Sequence, residues 1–331
     1  MANFAVLGSG GWGTAIAVLL AGKPGHSVTL WSARAETAIE LQTRRENVRQ
    51  LRGVAIPPSV RITADPNALG NAETWIVAIP TAYLRETLAR VRPAVSSNLA
   101  AISFTKGIET DTFQRPSEII RDVLGIERVA VLSGPNHAEE IARRLPASAV
   151  VASADGLLAA TCQEHFGTDR FRIYTNADAV GVELAGALKN VIGIAAGMCE
   201  GLGLGDNAKA ALLTRGLVEM SRFGVAHGAD PVTFAGLAGM GDLIATCFSP
   251  HGRNRRVGER LARGESFADV TAGPQVAEGI NTARSAYRKS QTLGVDVPIM
   301  AGVYRVLYEG QSPATAVQEL LGRQQKEEGR Y

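Results

Sequence analysis

The sequence predicts an α/β fold, with a doubly wound, mostly parallel sheet over residues 1–177 and an all-α domain over 178–331. Strand-like and helix-like segments alternate up to about Thr175. The strand-like runs are continuously apolar, as strands buried on both faces are. From Asn176 onward the strand signals stop and a helical period runs almost to the last residue, which puts the boundary near Asp178.

With 331 residues, 46% of them hydrophobic, the chain has the length for two domains and can bury a core in each. A net charge of +2 supplies no basic field for nucleic acid, and 5% aromatic residues supply no stacking platform for bases. The 36 glycines fit a protein whose backbone lies close to a ligand. Cys162, Cys199 and Cys247 are widely separated and set in apolar sequence, so they read as reduced core residues of a cytoplasmic protein, with no metal spacing. The apolar N-terminus lacks a basic leader, which argues against a signal peptide, and no run is expected to have the length and apolarity of a transmembrane helix.

The first element carries the strongest motif. Residues 3–20, NFAVLGSGGWGTAIAVLL, read as a buried strand that passes through Gly8-x-Gly10-x-x-Gly13 into an apolar helix. Gly8 permits the tight turn, Gly10 lets the backbone approach a pyrophosphate, and Gly13 lets the helix pack closely on the strand. Gly11 and Trp12 then open a helix whose free N–H groups and positive dipole end suit phosphate. A glycine-rich turn can arise for steric reasons alone, but here a second strand, residues 26–31, follows at the spacing a βαβ unit needs. A Rossmann-like dinucleotide site is the result.

Where NAD-specific sites place an acid at the end of that second strand, this chain reads Trp31-Ser32-Ala33-Arg34. Arginine suits a 2′-phosphate, so NADP(H) is preferred and NAD(H) remains usable. The competing reading is a solvated Arg34 opening the next helix, with Glu36 close by.

Residues 41–58 turn polar and basic and read as a solvated helix end and loop. Further strands are predicted at 74–79, 99–104, 129–132, 149–152 and 171–174. Lys106 follows the second of these, at the carboxyl edge where open sheets bind ligands. The third leads into Ser133-Gly134-Pro135-Asn136-His137-Ala138, which is ligand-facing by topology and otherwise reads as a helix start with Ser133 as cap and Pro135 at the first helical position.

The second domain opens with a long Ala- and Gly-rich helix containing Gly181, Gly186, Gly193 and Gly197. Each glycine inside a helix costs about 1 kcal/mol relative to alanine, so a backbone or ligand is expected very close by. A membrane-packing face is the alternative, and Glu183 and Lys189 speak against it. Lys189 lies mid-helix among apolar residues. Burial disfavours an ammonium and moves a lysine toward proton exchange near neutral pH, unless the side chain snorkels to solvent. Asn190 stands beside it, and a polar glycine loop at 201–207 follows. Asp242, in Gly239-Met240-Gly241-Asp242, supplies an acid, and Gly252-Arg253-Asn254-Arg255-Arg256 supplies guanidinium groups for phosphate or simply a solvated helix start.

Taken in order, GSGGWGTA at 8–15, TKGIE at 105–109, LSGPNHAEE at 132–140, GALKN at 186–190, GDNAKAAL at 205–212, GMGDL at 239–243 and GRN at 252–254 make the chain resemble the bacterial NAD(P)-dependent glycerol-3-phosphate dehydrogenases over nearly its whole length. The resemblance implies an oxidoreductase that interconverts dihydroxyacetone phosphate and sn-glycerol 3-phosphate, feeding phospholipid synthesis. By that resemblance Lys189 is the general acid/base and Lys106 contacts substrate near the nicotinamide. Gly134, Asn136, Asn190, Asp242, Thr246, Gly252, Arg253 and Asn254 match substrate contacts; Gly8, Gly10, Gly11, Trp12, Gly13, Arg34, Lys106, Ala138, Arg253, Val276 and Glu278 match dinucleotide contacts. Asn136 and Gly252 stand where the family often carries hydroxyl residues.

Competing readings are another two-domain β-hydroxyacid or sugar-acid dehydrogenase, and a non-catalytic NADP(H) sensor. The expected partner is a small phosphorylated substrate, with no nucleic acid and no membrane; oligomeric state is left open, a homodimer included.

Overall fold

The computed structural model describes residues 2–249, 252–272, 277–324 and 327. Two compact units divide the chain: Met1–Lys106 with Arg115–Ala179, and Gly107–Gln114 with Val180–Tyr331.

The first unit runs β1 (Ala2–Leu7), α1 (Gly11–Ala21), β2 (His26–Trp31), α2 (Ala35–Arg44), β3 (Glu46–Asn47), β4 (Leu51–Ala55), β5 (Val60–Thr63), β6 (Thr74–Val77), α3 (Thr81–Val91), β7 (Ala100–Ser103), α4 (Pro116–Leu124), β8 (Val129–Ser133), α5 (Ala138–Ala142), β9 (Ala147–Ala152), α6 (Gly156–Phe166) and β10 (Phe171–Asn176). An eight-stranded sheet has the order β10-β9-β8-β7-β6-β1-β2-β5. From β5 to β8 every neighbouring pair is parallel; β9 is antiparallel to β8 and parallel to β10. The order reverses between β1 and β6, so the turn after β1 sits at the switch point where such sheets bind ligands.

Alternation along the strands explains the continuous apolar runs. Phe4 and Val6 of β1 join the core on one face with Leu30, Ile76 and Ile102. Ala5 and Leu7 join the opposite core with Trp31, Trp75 and Val77. Strands with two buried faces have no polar side to display.

Three details correct the sequence reading. Residues 41–58 are not only helix end and loop: β3 and β4 form an antiparallel pair, and Leu51, 1% exposed, packs with Ala15 against Trp12 and Ala138. Residues 60–63 form the edge strand β5. Ser133 is the last residue of β8, and α5 starts only at Ala138 with His137 in the cap position, so neither Ser133 nor Pro135 opens it.

The second unit is helical: α7 (Ala179–Gly201), α8 (Gly205–Val225), α9 (Pro231–Ala235), a π-helical turn (Leu237–Gly241), α10 (Asp242–Phe248), α11 (Arg253–Ala262), α12 (Phe267–Thr271), α13 (Glu278–Leu293), α14 (Pro298–Tyr308) and α15 (Pro313–Leu321). Gly107–Gln114, which the sequence groups with the sheet, belongs here. Ile108 is 1% exposed, its carbonyl accepts from Ser285 Oγ at 3.5 Å, and the Phe113 ring stacks on His227 at 5.2 Å.

Helix α7 corrects a further expectation. It is 23 residues long with a mean hydropathy of 1.5 over its most apolar window, enough by length and composition to cross a membrane. Yet 89% of that window is buried within the protein. It is the central core helix of its unit, apolar all round because it is surrounded.

Its glycines are contact points. A Cβ on Gly197 would fall 1.8 Å from Arg255 O, and one on Gly258 of α11 would fall 1.9 Å from Ile194 O. Helices α7 and α11 therefore touch backbone to backbone, which meets the expectation of a close neighbour. Glu219 of α8, 3% exposed, ties α14 in place by accepting from Ile299 N at 2.7 Å and Met300 N at 3.1 Å. Those are N–H groups at a helix start with no intrahelical partner.

Candidate active site

The glycine turn divides its labour. Gly8 has φ +109°, and a Cβ there would lie 2.5 Å from Ala78 O on the neighbouring strand end. On Gly13 a Cβ would lie 1.8 Å from Gly8 O, the close helix–strand packing expected of the third glycine. Gly10 and Gly11 meet only Gln50, with Cβ positions 3.1 Å from its Oε1 and 2.8 Å from its carbonyl oxygen. Gly8 and Gly13 serve the close packing of the fold, while Gln50 is the neighbour of Gly10 and Gly11 at the helix start, the place where such a fold takes a pyrophosphate. Trp12 is half-buried, packed on Phe104 with ring centroids 5.5 Å apart.

Sequence reasoning missed the polar residues that face this turn. Asn47 donates from Nδ2 to Ser9 O at 3.0 Å and Thr14 Oγ1 at 2.9 Å; Gln50 Oε1 accepts from Gly11 N at 3.0 Å. Nothing in a polar, two-residue strand such as β3 announces such a role. At the end of β2, Ser32 is buried, accepts from Ser9 Oγ at 2.9 Å and receives Arg34 N at 3.4 Å. The Arg34 side chain is exposed at the start of α2.

At the carboxyl edge of the same sheet, Lys106 Nζ donates to Gly134 O at 3.0 Å and Asn136 Oδ1 at 2.7 Å. Gly134 has φ +127° and a Cβ would meet Ala149 Cα at 3.0 Å, so only glycine presents that carbonyl without strain. Asn136 is 4% exposed and its Nδ2 has no hydrogen-bond partner among the described residues. A buried donor of this kind is expensive unless something accepts from it, which marks the position as ligand-facing. Ala138 begins α5 beside these groups.

The helical unit brings together a second set. Lys189 of α7 is 6% exposed; Nζ donates to Asp242 Oδ1 at 2.8 Å and also to Thr246 Oγ1. Lysine therefore does not snorkel. Asp242 and Thr246 lie at i and i+4, one above the other on the buried face of α10, both aimed at the ammonium. Asn190 Oδ1 accepts from Asn254 Nδ2 at 2.9 Å, and Asn254 Oδ1 accepts from Gly279 N at 3.0 Å, which ties α7, α11 and α13 together. Asn254 uses its amide for scaffolding. Gly252 caps α11 and would bring a Cβ to 3.0 Å from Thr246 O, while Glu278 opens α13. Val276 lies outside the described residues.

The arginines of this stretch differ. Arg255 is 8% exposed and bridges Glu200 at 2.7 Å and Glu259 at 3.3 Å, a structural position. Arg253 is exposed at the first position of α11 and has no ion pair or hydrogen bond among the described residues. The three cysteines are buried, and burial pushes the thiols of Cys162 and Cys247 up to about 12, which leaves them without nucleophilic chemistry.

The protein thus carries two sets of chemistry-bearing groups: a glycine turn with a lysine-bearing sheet edge, and a buried lysine–carboxylate–hydroxyl cluster. Family models match both parts of the chain. The model of the NAD-dependent glycerol-3-phosphate dehydrogenase N-terminus matches residues 3–159, and that of the C-terminus matches residues 178–318. A protein of Chlorobium phaeobacteroides strain BS1 named glycerol-3-phosphate dehydrogenase (NAD(P)+) is 48% identical over 98% of this chain and 99% of its own. One of the same name from Streptomyces griseus is 48% identical over 98% of each chain. The solved glycerol-3-phosphate dehydrogenase of Coxiella burnetii superposes with a TM-score of 0.93 at 36% identity, covering 97% of this chain and 99% of that one. The chain belongs to the NAD-dependent glycerol-3-phosphate dehydrogenase family.

Proposed function

We propose that this chain interconverts dihydroxyacetone phosphate and sn-glycerol 3-phosphate with a nicotinamide dinucleotide, supplying glycerol 3-phosphate for phospholipid synthesis. The observation that carries the reading is the buried Lys189 ammonium held by Asp242 and Thr246. When bound, the nicotinamide supplies the hydride for reduction or accepts it in oxidation.

The chain's own residues do the rest. Reduction leaves charge on the former carbonyl oxygen, and the Lys189 ammonium stabilises that charge and hands over a proton from Nζ. Asp242 and Thr246 fix the direction of the Nζ donors, so Lys189 meets the oxygen without reorganising. Lys106, pinned by Gly134 and Asn136, orients and polarises substrate at the sheet edge. Arg253 anchors the phosphate, because a guanidinium matches phosphate oxygens bidentately.

Gly10, Gly11 and the start of α1 hold the pyrophosphate, and Arg34 takes a 2′-phosphate, which favours NADP(H) while NAD(H) is also used. The deciding experiment is steady-state reduction of dihydroxyacetone phosphate with NADPH and NADH side by side, with 6-phosphogluconate oxidation as the contrasting arm. Turnover of dihydroxyacetone phosphate, with a higher kcat/KM for NADPH, is expected. Turnover of phosphogluconate alone, or of neither substrate, rejects the reading.

A further inference from the structure

A second arginine stands at the carboxyl end of β2. Arg90, in the last turn of α3, lays its guanidinium over the Trp31 ring at 5.8 Å and donates from Nη2 to Ala33 O at 3.1 Å. The platform beneath it is rigid. Trp31 is fully buried, and its Nε1 donates to Ala64 O at 3.1 Å. Ala33 directly precedes Arg34, so the carbonyl that Arg90 grips belongs to the peptide leading into Arg34.

Arg34, which directly follows Ala33, and Arg90, which bonds the Ala33 carbonyl, are thus anchored to the same short stretch of backbone after β2. The Arg34 side chain has neither an ion pair nor a hydrogen bond among the described residues, and Arg90 has no carboxylate partner there either. Glu36 and Glu86, the acids on the adjoining helices, form no ion pair with them among the described residues. Concentrated positive charge left without a carboxylate suits a dianion. The Trp31 contact adds order: Arg90 rests over the ring and uses one donor on Ala33, which leaves most of its five N–H donors for a ligand.

We propose that Arg90 is a specificity-determining residue, the pre-placed half of a two-arginine receptor for the 2′-phosphate of the adenosine ribose, with the exposed Arg34 closing on it from α2. The assignment rests on the reading that the dinucleotide lies along the glycine turn, which brings its adenosine ribose to the end of β2. Arg34 alone offers a long, mobile cation. Paired with an arginine whose position is already fixed, it grips a dianion at a smaller loss of side-chain freedom.

The test uses the full chain as wild type, Arg90→Ala, Arg90→Lys and Arg34→Ala, with kcat and KM measured for NADPH and NADH. In parallel, the affinities for 2′,5′-ADP and for ADP are measured by calorimetry. Losing a charge-assisted contact to phosphate is expected to lower the NADPH-to-NADH ratio of kcat/KM about tenfold or more for Arg90→Ala. The loss should lie in KM for NADPH, with Arg90→Lys intermediate and 2′,5′-ADP weakened while ADP is not. If Arg90→Ala weakens NADPH and NADH equally, Arg90 only covers Trp31 and the proposal falls. An unaltered ratio overturns it as well. Should the wild type turn over no dihydroxyacetone phosphate with either cofactor, the functional reading fails by itself, and the 2′,5′-ADP and ADP affinities still decide the role of Arg90.

Discussion

Lys189 Nζ lies 2.8 Å from Asp242 Oδ1 with side chains only 8% and 3% exposed, so cation and carboxylate depend on each other for solvation. Removing one partner of such a buried pair leaves an uncompensated charge and costs about 3–5 kcal/mol, whereas replacing both by apolar groups can be neutral. Lys189→Ala should therefore abolish turnover and also lower the unfolding midpoint, while dinucleotide binding survives. Lys189→Met with Asp242→Leu should recover the midpoint but no activity. Thermal melts and single-turnover rates on the three proteins separate these effects; a Lys189→Ala enzyme with ordinary kcat would end the assignment.

Arg253 presents its guanidinium to solvent and has no partner among the described residues. Loss of a charge-assisted contact is worth about 1.5–3 kcal/mol. For Arg253→Ala this translates into a KM for dihydroxyacetone phosphate raised about 10- to 100-fold, with a smaller change in kcat and none in thermal stability. Initial-rate kinetics over a range of substrate concentrations check it, and an unchanged KM would count against a phosphate anchor. Arg255→Ala should do the reverse, lowering stability through the loss of Glu200 and Glu259.

Gly197 meets Arg255 O at a distance no Cβ tolerates. Gly197→Ala has to push α7 and α11 apart, at a cost of about 1–3 kcal/mol or more for overpacking. Because α7 carries Asn190 and α11 carries Asn254, the displacement stretches their 2.9 Å hydrogen bond. A lowered melting temperature is expected together with a raised KM. Gly264→Ala, at an open surface turn with φ +90°, controls for glycine replacement as such and should affect stability alone.

Burial pushes the Glu219 carboxyl up to about 8, against the two backbone N–H bonds that favour its ionised form. Its ordinary value is 4.5, so between 4.5 and about 8 the folded protein keeps a proton that the unfolded chain releases. The stability contributed by this site is fully present below pH 4.5 and is lost as pH rises toward 8. Urea unfolding midpoints at a series of pH values should show a downward slope in wild type that Glu219→Gln flattens; parallel curves for the two proteins would refute the shift.

Much of this architecture was legible because burial leaves a pattern. The run into Gly8, the strand at 26–31 and the apolar stretches at 74–79 and 99–104 are strands with two buried faces, and two-faced burial is written as unbroken apolar sequence. Lys189 was legible for the opposite reason, as a charge among apolar neighbours. The β3–β4 pair was not, since a two-residue polar strand and a five-residue strand interrupted by Arg52 and Gly53 are too short to show a period. Nor does local pattern tell that Gln50 would face Gly11, or Arg90 meet Ala33, because each pairing joins residues 39 and 57 positions apart. Length and hydropathy of α7 resemble a membrane span because a core helix and a lipid-facing one solve the same solvation problem.

The segment Gly107–Gln114 gives the molecule a topology that a single boundary does not capture. The chain leaves the sheet unit after Lys106, contributes Ile108 and Phe113 to the helical core, and returns at Arg115 before leaving again after Ala179. A break at the last crossing alone would strip Ile108 and Phe113 of their neighbours and leave an apolar loop on the surface of the dinucleotide unit. Gene fusion or exchange of either half therefore has to move this eight-residue insert with the helices, and Lys106, its immediate predecessor, is the residue at which inheritance of one half constrains the other.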